Sequence, residues 1–417
     1  MTLSRYGFPL TCLAAACGAG VLQPALADVD LSPYGTITLE HNSNVFGRPS
    51  NNPPLATAGY YAFGDTIERA LAGTVGDFAW EDDKLTLTVE GQHDNYDRFT
   101  LLNHNEYRID GEFEWHWTSL LDGTVSYQQT EYMAPLIDTL AEQLSLNREK
   151  TAAALIHINL APQWRLDLVP KAHELDAPLP PLFPDFHLRD DGGSATLNYL
   201  GISKLTAGVR MEYGEGTYYD ITDATHYHQT SEELTVDYEE SGFSTFSADV
   251  GYTQHTSVLT GQMVASGITP AAALTGGAGS TDGFAGSLSY RRNISNETSF
   301  SLRAFRTIQS YVAGANSEVE TGGDISLNWN PDVKFAVSLD YSQSHQSIPG
   351  TLEIVGFSNR ADRVRHAALG VKYFAFPWLT VRPYASYDAR GSNFQLANYS
   401  ANVVGVDFSV HWNDRQQ

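Results

Sequence analysis

From Tyr34 to Trp412 the chain repeats segments of about a dozen residues in which every second side chain is apolar, and the connectors between them are alternately very short and long. Lys84 to Glu90 shows the unit: Leu85, Leu87 and Val89 interleave with Thr86, Thr88 and Glu90. Successive side chains of a strand point to opposite faces, so the segment has one oily face and one polar face. Phe335, Val337, Leu339 and Tyr341 alternate in the same way with Lys334, Ser338 and Asp340, and Val404, Val406, Phe408, Val410 and Trp412 with Gly405, Asp407, Ser409 and His411. A soluble sandwich also alternates. A membrane barrel adds longer segments and a strict asymmetry of connectors.

Glu81 to Asp83, Thr118 to Leu120, Ala161 and Pro162, Gly201, Glu240 to Gly242, Asn293 to Ser295, Asn330 to Asp332 and Ala375 to Pro377 read as tight turns. Between them lie links rich in Gly, Pro, Asn, Ser and Ala: Gly47 to Gly64, Tyr96 to Asn103, Met133 to Leu144, Asp176 to Asp185, Glu215 to Thr225, Val258 to Ser280, Ser310 to Asn316, Ser347 to Arg360 and Gly391 to Ala397. Short periplasmic turns with longer extracellular loops define an all-β, transmembrane, antiparallel up-and-down barrel. The segments count to about eighteen strands, sixteen being the other even closure.

Beyond the N-terminus no run of about 20 apolar residues could form a spanning helix, so any crossing falls to strands. The first 27 residues read as a signal peptide: Arg5, a mainly apolar stretch from Tyr6 to Leu22, and Ala25-Leu26-Ala27 before Asp28. Ala16-Cys17-Gly18 is the lipoprotein alternative, with Leu13 one residue too far from Cys17. Residues 28–417 are then a single barrel domain in the outer membrane of a Gram-negative bacterium. Cys12 and Cys17 leave with the leader, so the mature chain carries no thiol.

A formal charge of −24 excludes nucleic acid as a partner, since phosphate binding needs clustered Lys and Arg. Parity instead sends the charges inward. Asp110, Glu112 and Glu114 lie opposite Ile109, Phe113 and Trp115 on one strand, and Arg165, Asp167, Arg210, Glu212, Asp237, Asp249, Arg291, Arg303, Asp324, Arg382 and Asp407 occupy the polar parity of theirs. A charged interior implies a wet lumen. Height along the strands pairs Arg382 with Asp407, Arg303 with Asp324 and Arg210 with Glu233, as ion-pair ladders or as contacts for a passing substrate.

Trp115, Trp117, Trp164, Trp329, Trp378 and Trp412 fall near the short turns, where amphipathic rings settle at headgroup level. Trp412 also looks like the C-terminal signal for the barrel-assembly machinery, although Asn413 to Gln417 trail it. At the outer rim Arg306, Arg363 and Arg365 can reach lipopolysaccharide phosphates.

The first strand, Tyr34 to Pro49, resembles the opening of the EpsL-type exopolysaccharide-associated outer-membrane proteins of the beta-barrel porin-2 group. Asn44, Val45, Phe46 and Arg48 match that pattern, while His41, Asn42 and Ser43 replace its acidic residues and Gly47 is inserted. The resemblance implies a role in export or surface assembly of an extracellular polysaccharide, alongside periplasmic export components. The alternatives are a general or small-solute porin, an inert surface barrel with binding loops, and a barrel-rim enzyme. Thirteen His and many Ser and Asp carry no flanking motif that singles out a catalytic set. His226 and His228 share a strand face without a nameable third ligand, so no metal and no cofactor are expected. Only about six residues separate Asp28 from Tyr34, too few for the folded plug of a TonB-dependent transporter.

Overall fold

A computed structural model of the chain describes residues 28–49, 63–134, 144–178, 186–219, 224–259, 263–264, 273–274, 278–310, 317–348 and 360–412. Residues 1–27, where a signal peptide is expected, Asn413 to Gln417 and much of the long links lie outside the described residues.

The first half of the chain forms β1 (Asp28–Asn42), β2 (Asp65–Trp80), β3 (Asp83–Tyr96), β4 (His104–Thr118), β5 (Leu121–Met133), β6 (Leu146–Ala161), β7 (Trp164–Ala177), β8 (Phe186–Ile202), β9 (Leu205–Tyr219) and β10 (Ala224–Ser241). β11 (Ser244–Leu259) follows, then β12 (Met263–Val264) and β13 (Ala273–Leu274), a two-residue pair in the link to β14 (Ala278–Asn293). The wall is completed by β15 (Thr298–Ser310), β16 (Ser317–Asp332), β17 (Phe335–Ile348), β18 (Arg360–Phe376), β19 (Leu379–Ser392) and β20 (Tyr399–His411). Each wall strand pairs antiparallel with the next, and β1 pairs with β20 from Tyr34 opposite His411 to Asn42 opposite Val403, which closes an eighteen-stranded cylinder.

The alternating sequence explains the cylinder directly. Ile37, Leu39, Val125, Tyr127, Leu234, Val250, Leu339 and Val404 are exposed on the outer face, where lipid would cover them. Their neighbours Thr36, Thr38, Ser126, Thr235, Asp249, Asp340 and Gly405 belong to the opposite parity and line the inside. Buried apolar clusters are small and lie toward the long-loop end. Phe46, Ile67, Tyr96, Phe99 and Leu102 form one, and Leu175, Ala177, Leu188 and Tyr227 the other.

Turns sit where expected, displaced by up to three residues. The reversal expected at Gly201 occurs between Ile202 and Leu205, and Lys204 takes φ 66° there. The turn after β16 is built by the Asp332 carboxylate, which accepts from the backbone N–H of Lys334 and Phe335 at 2.6 and 3.1 Å. β1 also begins six residues before the expected Tyr34. Pro33 reads as a strand breaker, yet residues 28–33 pair only with β2, so the missing N–H interrupts no second ladder.

Leu339→Arg places a charge on the lipid face and is expected to cost about 2–4 kcal/mol, against about 0.5 kcal/mol for Ser342→Arg on the inner face beside Asp324 and His366. Urea midpoints for folding into lipid vesicles measure both.

Candidate functional site

The inner wall is the candidate site. The ladders set Asp110, Glu112 and Glu114 of β4 opposite Thr88, Thr86 and Lys84 of β3, on the inward parity. Arg165 and Asp167 of β7, Arg210 and Glu212 of β9, Asp237 of β10, Asp249 of β11, Arg291 of β14, Arg303 of β15, Asp324 of β16, Arg382 of β19 and Asp407 of β20 share that parity.

Much of this charge is consumed by neighbours. Arg382 Nε donates to Asp407 at 2.8 Å, and the Thr38 hydroxyl donates to the same carboxylate at 2.9 Å. Arg69 joins Glu40 at 3.1 Å to Asp94 at 2.9 Å, and the Tyr384 hydroxyl donates to Glu40 at 2.6 Å. The ring of Tyr384 reaches Glu40 by lying across Gly405, where any Cβ would come within 2.6 Å of it; Tyr34 crosses Gly73 in the same way to donate to Glu90. On the opposite wall Asp167 accepts from Arg165 at 2.7 Å and Asn198 at 2.6 Å and bonds His157 Nδ1 at 2.6 Å. Lys171 meets Glu212 at 3.1 Å, Arg210 meets Glu233 at 3.3 Å, and Arg108 pairs with Asp110. Asp249 is held by the backbone N–H and the hydroxyl of Ser287 at 2.9 and 2.8 Å.

Two of the three expected ion pairs therefore form. The third does not: Arg303 stands opposite Asp324 in register, but its guanidinium lies over the Phe305 ring, 4.9 Å from the centroid. Among the described residues Glu112, Glu114, Asp237, Asp324, Arg291 and Arg303 have no ion-pair partner within 4 Å. The residues that sequence reasoning missed are Glu40, Arg69, Asp94, Arg108 and the two tyrosines. Glu40 could have been found from the parity of Thr36 and Thr38.

The motif residues have a different use. The Asn44 side chain donates to the carbonyls of Arg48 and Ser400 at 2.8 and 3.0 Å and accepts from the Arg48 N–H at 3.0 Å. The Val45 N–H donates to the Phe63 carbonyl at 3.0 Å, and Phe46 packs edge-on against Phe99 at 4.6 Å. Buried Asp65 accepts backbone N–H groups of Thr66, Arg98 and Phe99 at 2.7 to 3.0 Å. These contacts staple the first two long links to the inner wall.

At the rim, Arg306, Arg363 and Arg365 are exposed on the outer parity. His226 and His228 also face outward, and His226 Nδ1 bonds the Thr217 hydroxyl at 2.9 Å. Nearby, Glu174, Asp176 and His187 place one ligand atom each within 4.8 Å of one another, a grouping the sequence did not suggest. Its donors are engaged: Lys150 meets Glu174 at 3.3 Å and His187 bonds Asp176.

The sequence matches no family model and no curated protein. Among solved structures, the FrpB iron transporter from Neisseria meningitidis (F3-3 variant) is similar with a TM-score of 0.50 at 10% identity, over 88% of this chain and 62% of its own. OpdK from Pseudomonas aeruginosa with vanillate gives 0.47 at 11% identity, over 93% and 100%. The copper transporter OprC gives 0.48 at 10% identity, over 88% and 64%. The chain spans less than two thirds of the length of FrpB and OprC. The fold is that of Gram-negative outer-membrane β-barrels.

Arg69→Ala strands the Glu40 and Asp94 carboxylates, each under 10% exposed, without their cation. It is expected to lower folding stability by on the order of 3 kcal/mol, and Arg69→Lys by less. Urea titration followed by the heat-dependent gel shift of the barrel tests this.

Proposed function

We propose that this barrel is a water-filled outer-membrane channel for small hydrated solutes, with a preference for cations. The observation that carries the reading is the inward face, where Asp and Glu outnumber Lys and Arg and where Glu112, Glu114, Asp237 and Asp324 keep no cation of their own. An eighteen-stranded wall encloses more space than its side chains can fill, so these groups can be hydrated. Carboxylates lining such a wall concentrate cations and repel anions. Rim arginines on the outer parity suit the phosphates of lipopolysaccharide.

The polysaccharide-export reading rested on Asn44, Val45, Phe46 and Arg48. Asn44, Val45 and Phe46 hold a link against the wall, a use that adds no support for glycan handling. Among the described residues nothing else in the inner wall favours a polymer over a small solute, so the solute channel is the preferred function.

In planar bilayers under a salt gradient the protein should give a reversal potential on the cation side. Asp110→Arg combined with Glu112→Arg should move it toward the anion side while the barrel still folds. An unchanged potential in the folded double variant would contradict the reading.

A further inference from the structure

Among the described residues, one ladder of the wall stops well short of the ends of its two strands. β14 and β15 pair only from Gly286 opposite Arg306 to Asn293 opposite Ser299. Beyond that point β14 stays zipped to β11 out to Ala278, and β15 stays zipped to β16 out to Ser310, but the two described segments do not pair with each other. The inward parity of β14 gives the direction of the split. Thr281 and Gly283 lie opposite His255 and Thr253, whose side chains are almost fully buried on the inner face of β11. A Cβ on Gly283 would point at Ile308 Cδ1 of β15, 3.6 Å away, and Thr281 hydrogen-bonds Ser317 of β16. In a continuous wall β14 and β16 would be separated by β15, about two strand spacings or 9.5 Å apart, too far for that bond. The outer ends of β15 and β16 therefore lie on the lumen side of β14.

Two features fit a hinge. Gly286 has φ +151°, and a Cβ there would come within 2.1 Å of the Asp249 carbonyl oxygen, so the turning point accepts only glycine. Arg306, paired with Gly286, donates through Nε to the Phe284 carbonyl at 3.0 Å and through a terminal nitrogen to the Thr321 hydroxyl at 3.3 Å. The side chain thus takes one edge carbonyl that the missing ladder leaves.

We infer that the outer ends of β15 and β16, residues 307–309 and 317–320, are a gate, folded from the wall into the mouth of the barrel and hinged at Gly286 and Arg306. Folded inward it narrows the passage; rezipped to β14 it widens the passage, the backbone bonds of the ladder replacing the Arg306 and Ser317 contacts. The gate rests on the channel reading, whereas the split of the wall stands independently of it.

The chain from Asp28 onward has no cysteine, so Thr281→Cys with Ser317→Cys provides a clean cross-link. The expected result is a disulfide in the folded, membrane-inserted barrel, together with two-level current stepping that is lost on oxidation and restored by reductant. Failure of the folded double variant to cross-link, while each single variant is labelled by a thiol reagent, overturns the split. Cross-linking with identical currents before and after reduction overturns the gate but leaves the channel. Absence of current in both states refutes the channel reading and the gate together, while the disulfide yield still reports the split. Arg306→Gln provides a second reading: stepping becomes more frequent if the guanidinium holds the hairpin inward, and unchanged stepping removes its role as the latch.

Discussion

No water reaches the hydrocarbon layer to satisfy a peptide group, so a sheet that crosses it has to return on itself. Here that return is the ladder between β1 and β20, the pairing most distant in sequence and the one on which every other strand depends. An inner-wall network of four strands lies across it. Asp407 of β20 accepts from Thr38 of β1 and Arg382 of β19, and Glu40 of β1 gathers Tyr384 of β19 and Arg69 of β2. Side chains from both ends of the chain are thus committed to one another at the seam. Gly405 and Gly73 leave room for tyrosine rings to cross a neighbouring strand there.

The same wall divides its charge between two uses. Carboxylates that face a cation across the ladder are spent on holding strands together, as Asp407 and Glu233 are. Carboxylates that face only hydroxyls or amides, such as Glu112 opposite Thr86 and Ser126, keep their field for whatever fills the lumen. A strongly acidic composition is therefore compatible with both a stable cylinder and a cation-attracting interior.

The cylinder was legible because lipid forces one parity to be apolar where a strand crosses it, and Phe335 to Tyr341 of β17 and Val404 to Val410 of β20 display that rule. The connectors were legible for the same reason: polar and Gly-rich links cannot lie in the membrane. Chain reversals were blurred by up to three residues, because Lys204, not Gly201, adopts the left-handed conformation of the turn between β8 and β9. The closure network was harder to see. The inward face of β2 carries Ile67, Leu71 and Val75 as well as Arg69, so parity there has no clear polar side. Arg303 shows the limit of register: strand position chose Asp324 as its neighbour, but a rotamer turned toward Phe305 decided the contact. The split above Gly286 has no sequence signal beyond a glycine and the unusually long link that precedes β14.

The central claim is a closed wall that is oily outside and wet inside, and β17 offers its most direct test. Single cysteines at Leu339, Asp340, Tyr341 and Ser342, in barrels reconstituted into lipid vesicles, are exposed to a charged, membrane-impermeant thiol reagent. The account predicts modification at Asp340→Cys and Ser342→Cys and protection at Leu339→Cys and Tyr341→Cys. Equal labelling of both parities, or protection of all four positions, would contradict it.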